Sequence, residues 1–87
     1  MKIREGFILR EIAGKKIVVA VGSAVKHFQG VINLNGTGAF LWELLQNQVE
    51  KEQLISALLG EYDIDKETAE ADVEAFISTL KQANLLV

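Results

Sequence analysis

Between Leu34 and Leu45 the apolar residues of this chain change their spacing, and that change dictates a fold in two parts. Upstream they alternate or run in short β-branched stretches; downstream they recur every three or four residues. The switch lies within Leu34-Asn35-Gly36-Thr37-Gly38-Ala39-Phe40-Leu41-Trp42-Glu43-Leu44-Leu45. A short strand ends there in a polar, glycine-rich turn, and a helix carrying the single Trp starts at once. Asn35 or Thr37 can cap that helix by accepting hydrogen bonds from the backbone N–H groups that every helix start leaves without partners. Ala39, Phe40, Leu41, Trp42, Leu44 and Leu45 leave only Glu43 and Gln46 for water, so the rest of a small domain must cover this helix.

Before the switch, Phe7 to Ala13 alternates, with Phe7, Leu9 and Glu11 on one face and Ile8, Arg10 and Ile12 on the other. Gly14-Lys15 supplies a hairpin turn. Ile17 to Val21, β-branched except for Ala20, reads as a second strand. Gly22 to Gln29 is a connection, and Gly30 to Leu34 a third strand. After the switch, Val49 to Tyr62 carries Leu54, Ile55, Leu58 and Leu59 at helical spacing, with Gly60 placed to close the helix. Asp63 or Asp65 then caps a long last helix, Glu67 sits favourably in its first turn, and Ala69, Val73, Phe76, Ile77 and Leu80 form its apolar stripe. Three strands followed by three helices make an α+β domain.

The 87 residues provide one modest core and so one domain. No apolar run approaches the eighteen residues of a membrane span, and the N-terminus turns polar too early for a signal peptide. We therefore expect a cytoplasmic protein that binds neither membrane nor nucleic acid. With no Cys and one His, His27, the chain cannot build thiolate, iron–sulfur or histidine-based zinc sites. We expect no cofactor and no metal. Residues 1–34 hold six bases and two acids, +4, whereas residues 35–87 hold three bases and ten acids, −7. No continuous basic surface for nucleic acid results.

Two stretches stand out as candidate sites. Gly30-Val31-Ile32-Asn33-Leu34 contains neither charge nor proline, although strands at a sheet edge usually carry one or the other to keep foreign chains from pairing. Such a strand is either shielded by a loop or a second copy, or left open for an added chain. The last helix is the second: its stripe is core, but a helix beside a sheet edge also forms the other wall of a groove. Residues 61–76 carry seven acids against Lys66, either a solvated face or a surface for a basic segment. Catalytic patterns are missing. Ser23, Ser56 and Ser78 have no His near them in pattern, and Gly36-Thr37-Gly38 is too short for a phosphate loop and lacks its Lys. We expect no enzyme.

The junction segment resembles the L-N-x-T-G-A-x-x-W-x-L-L signature of the PqqD-like family, named for pyrroloquinoline quinone synthesis protein D and also known as RiPP recognition elements. The likeness extends over the chain, through Gly6-Phe7-Ile8-Leu9-Arg10-Glu11-Ile12, Asp72-Val73-Glu74-Ala75-Phe76 and Leu80-Lys81-Gln82-Ala83-Asn84-Leu85-Leu86. It implies a winged helix-turn-helix-like unit with a three-stranded antiparallel sheet packed on three helices. It also implies a peptide-binding adaptor, or chaperone, in natural product biosynthesis. Such a domain takes the leader of a ribosomally made precursor as an added strand and presents it to a modifying enzyme, often a radical S-adenosylmethionine enzyme. Carried onto this sequence, the peptide site comprises Gly30, Val31, Ile32, Asn33 and Leu34 of the third strand with Ala69, Asp72, Val73 and Phe76 of the last helix. Ala69 and Val73, being small, would leave room for an apolar anchor. The adaptor would be a monomer or homodimer.

A winged-helix DNA-binding regulator is the alternative reading, with the second and third helices as a helix-turn-helix. Its recognition helix would bring several carboxylates against phosphates, the wrong sign for the charge neutralisation that drives such binding.

Overall fold

A computed structural model of the chain describes residues 1–26 and 31–87. Strands β1 (Phe7–Ile12), β2 (Lys15–Ala20) and β3 (Ile32–Leu34) precede helices α1 (Gly36–Leu44), α2 (Lys51–Glu61) and α3 (Lys66–Gln82), and a short 3-10 helix, Gly22–Lys26, follows β2. The sheet is antiparallel in the order β1-β2-β3, so β1 and β3 are its edges. This α+β arrangement is winged-helix-like, as expected.

Register places the sheet's two faces. Phe7 opposes Ala20, Leu9 opposes Val18, and Val18 opposes Ile32, so these residues share the face that meets the helices. Val18 has no exposed surface, and with Leu41, Trp42, Leu45, Leu54, Leu58, Val73, Leu80 and Leu85 it builds the core. The alternation of side chains along each strand sends Ile8, Arg10, Ile12, Ile17, Val19 and Asn33 to the opposite face.

Each helix start has its own cap. Asn35, in extended conformation, accepts the Gly38 N–H on its Oδ1 at 2.7 Å, which decides between the two candidate residues in favour of Asn35. Asp65 accepts the Thr68 N–H at 2.8 Å and settles the other pair. At α2 the Glu50 N–H donates to the Gln53 side chain at 2.7 Å. At its far end α3 closes through Asn84, whose φ of 60° is left-handed. The Asn84 N–H donates to the Lys81 carbonyl at 3.0 Å and the Leu85 N–H to the Leu80 carbonyl at 2.9 Å. These paired bonds form a Schellman turn, sealed by Leu80 and Leu85 in the core. Arg4 then clamps the turn, its Nε donating to the Asn84 carbonyl and its Nη2 to the Asn84 Oδ1, while Ile3 pairs with Leu86. The chain's two ends are thereby joined, a contact that no local pattern foreshadows.

Expectations shift at the ends of elements, and the second strand runs over Lys15–Ala20 rather than Ile17 to Val21. The hairpin turn is Ala13-Gly14, one residue earlier than expected; φ values of 52° and 80° give both central residues the positive torsion that a two-residue hairpin needs. Gly60 lies inside α2, and the chain leaves that helix through Tyr62 in extended conformation. The third strand begins at Ile32, with Val31 just ahead of it. Gly30, and His27 to Gln29 of the expected connection, lie outside the described residues.

Candidate functional site

Because β3 is an edge, one side of its backbone pairs with β2 and, among the described residues, with no other strand. The two edges differ in chemistry. β1 carries Arg10 and Glu11, whereas β3 carries only Ile32, Asn33 and Leu34. Side chains on β3 alternate: Ile32 and Leu34 are half-buried against the core, and Asn33 is exposed. Val31, just ahead of the strand, is 53% exposed.

A cleft opens between the start of α1 and α3. Its volume is ≈ 230 Å³. From the α1 side come Asn35, Thr37, Gly38 and Leu41; from α3 come Asp72, Ala75, Phe76 and Thr79. The α3 residues are spaced three, one and three apart, which puts them on one face of the helix. Gly38 sits where three walls meet. A Cβ there would lie 3.2 Å from Asn35 Oδ1, 3.4 Å from Phe76 Cε1 and 3.5 Å from Leu34 Cβ. Lacking that atom, the residue lets the strand end, the helix cap and the Phe76 ring approach one another closely. A second cleft, of ≈ 480 Å³, lies beyond the strand's C-terminal end and is lined by Gly14, Lys15, Lys16, Asn33, Leu34, Asn35 and Gly36. Cations flank the β3–α1 junction on that side and Asp72 on the other.

The expected site residues therefore fall into separate groups. Val31, Ile32, Asn33 and Leu34 occupy the edge, and Asp72 and Phe76 line the cleft. Ala69 and Val73 have no exposed surface; they point into the core, one step around α3 from the cleft wall. Gly30 lies outside the described residues. Sequence reasoning missed Thr37, Gly38, Leu41, Ala75 and Thr79. The spacing 72, 75, 76, 79 would have found the α3 members had the second face of that helix been traced as carefully as its apolar stripe.

Electrostatics at the cleft are mild. An ion pair of Lys51 with Glu74 links α2 to α3 and is solvent-exposed. Glu74 is held below its usual carboxylate range by the hydrogen bond and charge of Lys51, and Lys51 is correspondingly raised, chiefly by its hydrogen bond to Glu74. Among the described residues no three His, Asp or Glu side chains gather as metal ligands, and no helix is long and apolar enough to cross a membrane.

Two solved structures share this architecture. One is TbiB1 in complex with the TbiA(beta) leader peptide, with a TM-score of 0.75, 24% identity, and coverage of 99% of this chain and 94% of that one. Another is a lasso peptide synthetase B1 complexed with the leader peptide, with a TM-score of 0.72, 19% identity, and coverage of 97% and 93%. At these identities they establish the fold alone. No curated protein matches the sequence. The family model for coenzyme PQQ synthesis protein D matches residues 16–86, from the second strand to the last turn, and the chain belongs to the PqqD family.

Proposed function

We propose that the chain is a non-catalytic adaptor that binds the leader of a ribosomally made precursor peptide by strand addition and presents it to a modifying enzyme in the cytoplasm. The observation that carries this reading is the uncharged β3 edge with a cleft at its end, walled by α3. The two solved structures of the same fold were each captured with a leader peptide, which supports the same reading. Residues Val31 to Leu34, with Gly30 before them, supply backbone partners; Asp72 and Phe76 contact peptide side chains. Ala69 and Val73 act from behind, by fixing the position of α3.

Both walls are required on energetic grounds. Four or five added-strand hydrogen bonds contribute roughly 0.5–1.5 kcal/mol each. Ordering a flexible peptide costs about 2–5 kcal/mol. Micromolar affinity corresponds to about −8 kcal/mol, so apolar contacts in the cleft must supply the remainder. Backbone pairing gives affinity without sequence; the cleft reads identity. Catalysis benefits through effective concentration, since a tethered leader keeps the rest of the precursor near the enzyme.

Titration with a synthetic leader peptide from a precursor gene neighbouring this one tests the proposal. Amide signals of residues 31–34 and 72–79 should shift. Phe76→Ala, which removes about 50 Å² of ring surface from contact with the peptide, should weaken binding about ten-fold at ~25 cal/mol per Å². Spectra unchanged at millimolar peptide would refute it.

A further inference from the structure

The sheet has a second face, and the adaptor reading leaves it unused. Register and alternation set out its residues as a lattice: Ile8 beside Val19, Arg10 beside Ile17 and Asn33, and Ile12 beside Lys15. Ile8, Ile17 and Val19 are partly exposed and belong neither to the core nor to the residues packed against it; Ile12 is 55% exposed. Continuing the β2–β3 register brings Val31 to the Val19 row. The face is thus apolar at its centre, carries two cations and no acid, and lies opposite the helices, which belong to the −7 part of the chain.

Size and charge say what fits there. At strand spacings near 4.8 Å and a rise near 3.4 Å per residue, the lattice covers on the order of 200–300 Å². A symmetric pair of copies would bury roughly twice that, well under the ~1,200 Å² of a stable interface. It would also press Arg10 and Lys15 of one copy against the same cations of the other. A copy docking its acidic helices on this face would leave its own face open, a head-to-tail contact that ends only in a ring or an open filament. A different protein, with an apolar patch rimmed by Asp or Glu, avoids the clash of like charges and the head-to-tail contact, and at this area its hold on the bare face is weak. The acidic helices repel it and the basic sheet attracts it, which orients the encounter.

We propose that this outer sheet face, centred on Ile8, Ile17 and Val19 and flanked by Arg10 and Lys15, is the docking surface for an acidic-rimmed apolar patch on the modifying enzyme, and that a leader added beside β3 extends it. The inference rests on the adaptor reading. An added strand continues the sheet, so every second leader residue joins this face and widens it by about a third. The enzyme then reads adaptor and leader as one surface: the bare face binds it weakly, and the occupied one binds it more tightly. By linkage, the enzyme tightens leader binding by the same factor.

The test uses the full chain, the purified modifying enzyme encoded beside its gene, and the synthetic leader. Binding of enzyme is measured by titration calorimetry with and without saturating leader. Saturating leader should tighten the wild-type complex at least three-fold. Val19→Lys should weaken enzyme binding more than ten-fold while the leader dissociation constant stays within two-fold. Arg10→Glu, an exposed change that leaves packing alone, should do the same and reduce the salt dependence. Enzyme affinity within two-fold of wild type in both variants overturns the inference while leaving the adaptor reading intact. So does a wild-type dimer in sedimentation equilibrium that Val19→Lys dissolves. A wild-type chain that fails to bind leader overturns the adaptor reading and this inference with it.

Discussion

Asn35 does two jobs at the point where the strand period gives way to the helix period, and replacing it by Ala separates them from the rest of the fold. Its Oδ1 holds the Gly38 N–H at 2.7 Å in a partly buried position, while its own extended backbone carries the chain out of β3. Ala keeps the backbone conformation accessible but leaves the Gly38 donor without that acceptor. Loss of an Asn cap to Ala costs about 1 kcal/mol, within a range of roughly 0.5–2. In a domain of this size, each 1 kcal/mol lowers the melting temperature by about 4–8 °C. Asn35→Ala should therefore melt about 4–8 °C below wild type by circular dichroism, and the Gly38 amide should lose hydrogen-exchange protection ahead of the α3 amides. Asn35→Asp and Asn35→Ser retain an acceptor and should recover most of the difference. A loss shared equally by Asn35→Asp, or an Ala variant that melts with wild type, refutes the capping argument. Because Asn35 lines both clefts around the junction, the Ala variant should also weaken leader binding beyond what its stability loss predicts.

Two further outcomes follow from the same geometry. Ala13 holds φ at 52° in the hairpin turn, a left-handed conformation that costs a residue with a Cβ about 1–2 kcal/mol and Asn less. Ala13→Asn should therefore add about 0.5–1 kcal/mol of stability, read as a higher urea midpoint, and a lowered midpoint would refute the turn assignment. Asp65 is held below its ordinary 3.8 by hydrogen bonds from the Thr68 side chain and then its backbone, and Glu74 below 4.5 by Lys51. Depressed carboxyl values mean that the stability these groups add is fully present above about pH 4.5 and is lost as pH falls through the lowered values. Denaturant midpoints measured from pH 7 to pH 2.5 should fall less steeply in Asp65→Asn and Glu74→Gln than in wild type; parallel curves would show that neither group is linked to folding.

The element order was legible because each part is written in a local code. Alternation from Phe7 to Ala13, β-branching from Ile17 to Val21 and the change of period at Asn35 each belong to one short stretch, and each has its element in the structure, with the second strand starting two residues earlier and ending one residue earlier than its pattern. Element ends were less legible, because torsion decides them. Gly14 is visible as a turn residue, but Ala13 as its partner is not, since alanine rarely takes φ of 52°. Gly60 illustrates the converse: glycine commonly follows a helix, yet here the Tyr62 N–H still reaches the Leu58 carbonyl at 2.9 Å and the helix continues past it. The clamp from Arg4 to Asn84 spans 80 positions and has no local signature.

The site shows the same division at finer scale. An edge strand without charge can be read directly from Val31 to Leu34, because the defence that is missing is a residue type. Which face of α3 stands next to it cannot, because that depends on how the helix is rotated. The apolar stripe fixes one direction, toward the core, through Ala69, Val73, Ile77 and Leu80. At 100° per residue, Asp72, Ala75, Phe76 and Thr79 then fall on one flank of that stripe, but the stripe alone does not say which flank faces β3. The choice is made by contact with another element. Gly38 lets the start of α1 come within reach of Phe76, and the Asp72 strip lines the cleft there, next to the end of β3. A glycine in the first turn of α1 thus permits the contact that brings this side of α3 beside the strand end, and the information lies in neither segment by itself.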